Sequence, residues 1–146
     1  MVRIPLMVKA LVATALAGTY VLGTTVHSGV EREGKWRAIL EPLAGGSVRG
    51  GAMVEAKSAE STRFTITVRN APPGTSLPWH MHTGSCAAPG GPVGTGYPEL
   101  RVGPGGTAEA AITLSVAPPA SGSYLVQVHS PTGSPSSCGD LKPIGG

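Results

Sequence analysis

With 146 residues, the chain has room for one domain and one hydrophobic core. Aromatic residues are only 4% of a chain that is 40% hydrophobic, so that core must be built from Val, Ile, Leu and Ala. The formal charge of +3 falls to +1 once Arg3 and Lys9 of the N-terminal segment are set aside, and Arg49, Lys57, Arg63, Arg69 and Arg101 are scattered singly. A nucleic-acid partner is therefore not expected, because such binding needs clustered Lys and Arg.

Residues 1–30 read as an export signal or an N-terminal membrane anchor. Arg3 and Lys9 form a basic start, and no Asp, Glu, Lys or Arg lies between Ala10 and Val30. The small-residue run Ala15-Leu16-Ala17 favours cleavage, while the apolar stretch reaching Val26 suits an uncleaved anchor. The expected location is exported: periplasmic, cell-envelope or extracellular, with membrane attachment only through this segment if it is retained. Residues 31–36 are a short charged tether, and residues 37–146 are the folded domain.

The whole chain holds 22 glycines and 14 prolines, and those of the domain fall at regular turn positions between short strand-like runs. Trp36 to Glu41 is the first expected strand. From Ser47 to Lys57 the even positions Val48, Gly50, Ala52, Val54 and Ala56 are small or apolar while Arg49, Glu55 and Lys57 on the odd positions are charged, the mark of a half-buried strand. Period two is clearest from Thr62 to Asn70, where Phe64, Ile66 and Val68 alternate with Arg63, Thr65, Thr67 and Arg69. Pro72-Pro73-Gly74 then turns the chain into a strand from Leu77 to His82. Thr83 to Gly96 is expected to be a loop. Strands resume at Tyr97 to Val102, at Thr107 to Val116 and at Ser123 to His129. Seven short strands without an amphipathic helix predict an all-β, antiparallel β-sandwich.

The candidate chemistry lies at the ends of two of these strands. His80 and His82 are two residues apart, so on a strand their imidazoles project from one face about 7 Å apart, while Trp79 and Met81 point into the core. His129 ends the last strand. Three imidazoles suit copper or zinc and leave a coordination position open. A His-x-His pair alone is a weak signal, equally compatible with ordinary surface histidines. The two cysteines, Cys86 and Cys138, suggest one disulfide in an oxidising compartment. It would close a loop of about 53 residues, contribute about 4 kcal/mol, and draw His129 toward the His80–His82 pair.

The run Ala71-Pro-Pro-Gly-Thr followed by Pro78-Trp-His-Met-His-Thr-Gly-Ser-Cys86 resembles the copper/zinc superoxide dismutase family. Other segments are similar in the same order: Gly46-Ser-Val-Arg-Gly50, Tyr97-Pro-Glu-Leu-Arg-Val-Gly-Pro-Gly-Gly-Thr-Ala108, Leu125-Val-Gln-Val-His129 and Cys138-Gly139. The resemblance covers about Arg37 to Leu141 and implies a Greek-key sandwich. It also implies one copper ion on His80, His82 and His129, and a Cys86–Cys138 bridge. Two departures limit it. Between Cys86 and Leu100, where the family carries a bridging histidine and its zinc ligands, this chain has no His or Asp, so no zinc is expected. Where the family places an arginine shortly before the second cysteine to guide superoxide, this chain has Ser134, Pro135, Ser136 and Ser137; Arg101 is the nearest substitute.

These observations lead to an expected copper-binding protein with weak or absent superoxide dismutation. A competent copper-only dismutase and a non-catalytic structural sandwich are the alternatives. A hydrolytic zinc site lacks an evident general base.

Overall fold

Alternating burial in the three longest strands sets the frame of the molecule. The computed structural model describes residues 34–145, so the expected export segment and residues 31–33 of the tether lie outside the described residues. The first meander is β1 (Lys35–Pro42), β2 (Arg49–Ser58) and β3 (Ser61–Arg69). Then follow β4 (Ser76–Leu77), β5 (Trp79–Ser85), β6 (Ala88–Pro92), β7 (Leu100–Arg101), β8 (Ala108–Leu114), β9 (Tyr124–His129), β10 (Pro135–Asp140) and β11 (Lys142–Pro143). No helix among the described residues is long and apolar enough to cross a membrane.

All strand pairs are antiparallel, and the main path runs β6-β5-β9-β10-β1-β2-β3-β8. The strand β1 serves both halves of this path: Lys35–Leu40 pair with β2, whereas Glu41 and Pro42 pair with β10. The sheet curls there into two layers. One contains β2, β3 and β8, and the other contains β5, β6, β9 and β10. The strand β10 returns to lie beside β1, so the last part of the chain joins the first within one continuous path. The expected all-β antiparallel sandwich is the observed fold.

Val54, Phe64 and Ile66 from the first layer face Trp79, Met81, Val126 and Val128 from the second, and all are buried. Phe64 and Trp79 meet edge-to-face across the core at 5.7 Å. Each such side chain contributes about 1.5–3 kcal/mol through burial, which compensates for the shortage of aromatics. Where β10 crosses β1 the backbones come very close: a Cβ on Gly139 would collide with the carbonyl oxygen of Ile39.

Several element boundaries differ from the sequence-based expectation. The first strand begins at Lys35, so Lys35 and Trp36 belong to the sheet, with Trp36 opposite Val54. The expected strand from Leu77 to His82 is divided by Pro78, which has no N–H to give a ladder; β4 pairs with β7 while β5 pairs with β6 and β9. Only Leu100 and Arg101 of the expected Tyr97–Val102 strand are paired. The expected Thr83–Gly96 loop contains the last residues of β5 and all of β6. The segment after His129 forms β10 and the chain end adds β11, so that with β6 and the division of the Leu77–His82 strand the total rises from seven to eleven.

Candidate metal centre

The β5–β9 register brings the three histidines together. Trp79 lies opposite Val128, His80 opposite Gln127, Met81 opposite Val126 and His82 opposite Leu125. Since side chains alternate between faces, Trp79, Met81, Val126 and Val128 enter the core, while His80, His82 and Gln127 share the other face. His129, two residues beyond Gln127, falls on that same face. Its N–H donates to the Pro78 carbonyl at 2.8 Å, which ties the end of β9 to the start of β5. Ring centroids are 5.9 Å apart for His80 and His82, 5.5 Å for His80 and His129, and 5.9 Å for His82 and His129. One nitrogen from each ring lies within 4.8 Å of the other two.

Backbone carbonyls decide which nitrogens are available. The Nδ1 of His82 is 3.0 Å from the Gly90 oxygen in β6, and the Nδ1 of His129 is 3.1 Å from the Gly133 oxygen. A carbonyl only accepts, so each Nδ1 carries the proton and each Nε2 presents a lone pair. Both of these Nε2 atoms are buried without a hydrogen-bond partner. A buried polar atom left unpaired costs about 1–3 kcal/mol, and a cation held between the rings satisfies both at once. Burial lowers the His80 pKa, helped by the neighbouring His129 and His82. Burial also lowers that of His129; the Gly133 bond opposes the shift and His82 adds to it. Both imidazoles are thereby held toward the neutral, ligating form, and the donor set fits a divalent or monovalent transition metal.

The disulfide closes the same end of the molecule. Cys86 and Cys138 are joined, with Cα atoms 5.8 Å apart, linking the β5–β6 turn to β10. Asp140 adds a second tie, its carboxylate accepting the Cys86 N–H at 2.8 Å. A persistent disulfide indicates a non-reducing environment.

The three histidines and two cysteines singled out from the sequence all lie here. Gly90, Gly133 and Asp140 were not among the expected residues. Two of these act through main-chain carbonyls, for which no side-chain signal exists; Asp140 carried a weak signal as an acid two residues after Cys138. Arg101 does not support the suggested guiding role. It lines a different groove of about 560 Å³ with Thr67, Arg69, Thr107 and Glu109, and no histidine borders that groove.

No protein-family model matches this chain, and no curated protein matches it either. The curled antiparallel fold, the disulfide and the three-histidine cluster are compatible with a superoxide dismutase-like sandwich.

Proposed function

We propose that this chain is an exported, superoxide dismutase-like copper-binding protein whose single copper ion is held by His80, His82 and His129, with weak or absent superoxide dismutation. The observation that carries the reading is the pair of buried, unpartnered Nε2 atoms on His82 and His129, converging with a nitrogen of His80 within 4.8 Å. Copper is favoured over zinc because it heads the divalent affinity order for imidazole donors and because the sequence resemblance is to a copper site.

The residues perform distinct tasks. Gly90 and Gly133 fix the tautomer and tilt of two ligands, which is how outer partners raise metal affinity. His82, only 8% exposed, closes the protein side of the site. His80 and His129 are half-buried and complete the set. Copper bound there would supply one-electron exchange with superoxide or a similar small redox molecule. Rapid capture of an anion needs a focusing positive field, and Arg101 lines another groove, which supports weak rather than efficient turnover. A second reading, a competent copper-only dismutase, is favoured by the count of three protein ligands, which would leave a position for a small molecule.

Copper stoichiometry and spectroscopy of the oxidised domain, with superoxide consumption measured on the same samples, test both readings. One equivalent of copper is expected. In His80→Ala its affinity should fall more than about a hundredfold, beyond the usual cost of losing an outer-shell partner. Turnover that depends on copper and vanishes in the variant would establish the dismutase reading. No copper bound at micromolar protein would sink both and leave a structural sandwich.

A further inference from the structure

The three histidines are not held alike. Gly90 and Gly133 each grip one ring by a hydrogen bond to Nδ1, whereas no corresponding carbonyl grips His80 among the described residues. Against His80 lies instead the ring of Tyr97, with centroids 5.4 Å apart and planes at 83°. Edge-to-face packing of this kind has a defined orientation, because the positive edge of one ring meets the negative face of the other.

Tyr97 is itself held on several sides. Its hydroxyl donates to the Val93 carbonyl at 2.6 Å, and the Val93 N–H donates to the Met81 carbonyl at 2.8 Å. The Trp79 indole N–H donates to the Pro98 carbonyl at 2.7 Å. Residues 93–98 are thus clipped to β5 through the residues on either side of His80. The Tyr97 ring also packs edge-to-face on Trp79 at 5.0 Å and on Phe64 at 5.4 Å. Burial pushes the Tyr97 hydroxyl up to about 12, so it stays a protonated donor at ordinary pH.

We propose that Tyr97 is the positioning residue of His80, its clamped ring setting the tilt of this imidazole as the two carbonyls set the tilt of the others. The metal part of the inference rests on the copper reading; the Tyr97–His80 coupling does not. The strap carries nothing that need touch the ion. It acts through His80 alone, by limiting the ring rotations that would turn its ligating nitrogen away from the other two.

Two variants and one metal-free measurement test this. In the metal-free wild type, NMR should show ring-to-ring Overhauser contacts between Tyr97 and His80 and one His80 ring conformer; their absence would overturn the proposal whatever copper does. In Tyr97→Leu, His80 ring signals should broaden or split while the Nδ1–H signals of His82 and His129 persist. Copper affinity should drop about tenfold, within the range for lost outer-shell partners, with a changed copper spectrum. Tyr97→Phe keeps the ring and should stay within about twofold of the wild type. A folded Tyr97→Leu with a native His80 conformer would overturn the proposal, as would native copper affinity with a native spectrum. Failure of wild-type copper binding would defeat the copper reading alone, since the metal-free comparison still decides the role of Tyr97. Should Tyr97→Leu not fold, the wild-type contacts and the Tyr97→Phe spectrum provide the decision.

Discussion

The two layers of the sandwich are built from different kinds of sequence. In the layer of β2, β3 and β8, the β3–β8 register from Thr62–Leu114 to Val68–Ala108 runs without a break, and along β3 buried side chains alternate with exposed ones. In the layer of β5, β6, β9 and β10, the pairing shifts between His82 and Gly84 and again between Pro135 and Ser137. Gly84 and Gly133 take positive φ angles, and two imidazole nitrogens are buried without partners. The first layer departs from regular pairing only near its β2–β3 hairpin, between Ala56 and Ser58; the second departs from it around the histidines. Departures of this kind are expected at functional sites and are compensated elsewhere, here by the shared core and the disulfide.

The sharpest way to break this contrast is to remove the compensation. In Cys86→Ala/Cys138→Ala, unfolding in urea should show a stability loss of about 4 kcal/mol, the chain-entropy value for a loop of this length. Hydrogen exchange should rise first in β6 and β10, the segments bordering Gly90 and the disulfide, and later in β3. A loss below about 1 kcal/mol would mean that the second layer needs no staple.

A smaller effect is expected at the site itself. Replacing His82 by Leu removes one buried, unpartnered nitrogen together with the Nδ1–Gly90 hydrogen bond, changes of opposite sign, so metal-free stability should stay within about 1 kcal/mol of the wild type, while copper binding is lost. A fall of more than about 2 kcal/mol would make His82 part of the scaffold and not a residue kept for a ligand.

This contrast also explains what could be read from the sequence. The strands around Val54, Phe64, Ile66 and Ile112 were legible because burial on one face imposes period two. The His80–His82 pair was legible because Trp79 and Met81 alternate with it. The strand β6 was not: all five of its residues are exposed, and Pro89 and Pro92 suit a sheet edge yet read as a loop. The strand β10 was hidden for another reason. Ser137, Cys138 and Gly139 are buried, but they are small because β1 and β9 approach closely, so no apolar signal marks them. The carbonyls of Gly90 and Gly133 leave no trace in the sequence beyond a richness in glycine, and the position of Tyr97 beside His80 depends on how residues 93–98 fold back on β5.

The smallest expected effect is a pH dependence that only the metal-free protein should show strongly. The pKa values of His80 and His129 in the folded protein lie below their ordinary 6.5, chiefly because burial disfavours the charged ring. Above that ordinary value both folded and unfolded chains carry neutral imidazoles, and the stability contribution is fully present. As the pH falls through 6.5 the unfolded chain takes up protons first, so stability declines until the folded rings protonate as well. Urea midpoints of the metal-free protein should therefore drop from about pH 8 to about pH 5, a window chosen to avoid most carboxylate titration. Glu55 does not interfere there, since its hydrogen bond to Lys35 holds its pKa below the ordinary carboxylate value. His80→Ala/His129→Ala should flatten the slope, whereas Arg49→Gln, which breaks the exposed pair with Glu41, should leave it unchanged. An equally steep slope in the double-histidine variant would place the proton-sensitive groups outside the three-histidine cluster, and the second layer would then owe none of its acid sensitivity to the site it carries.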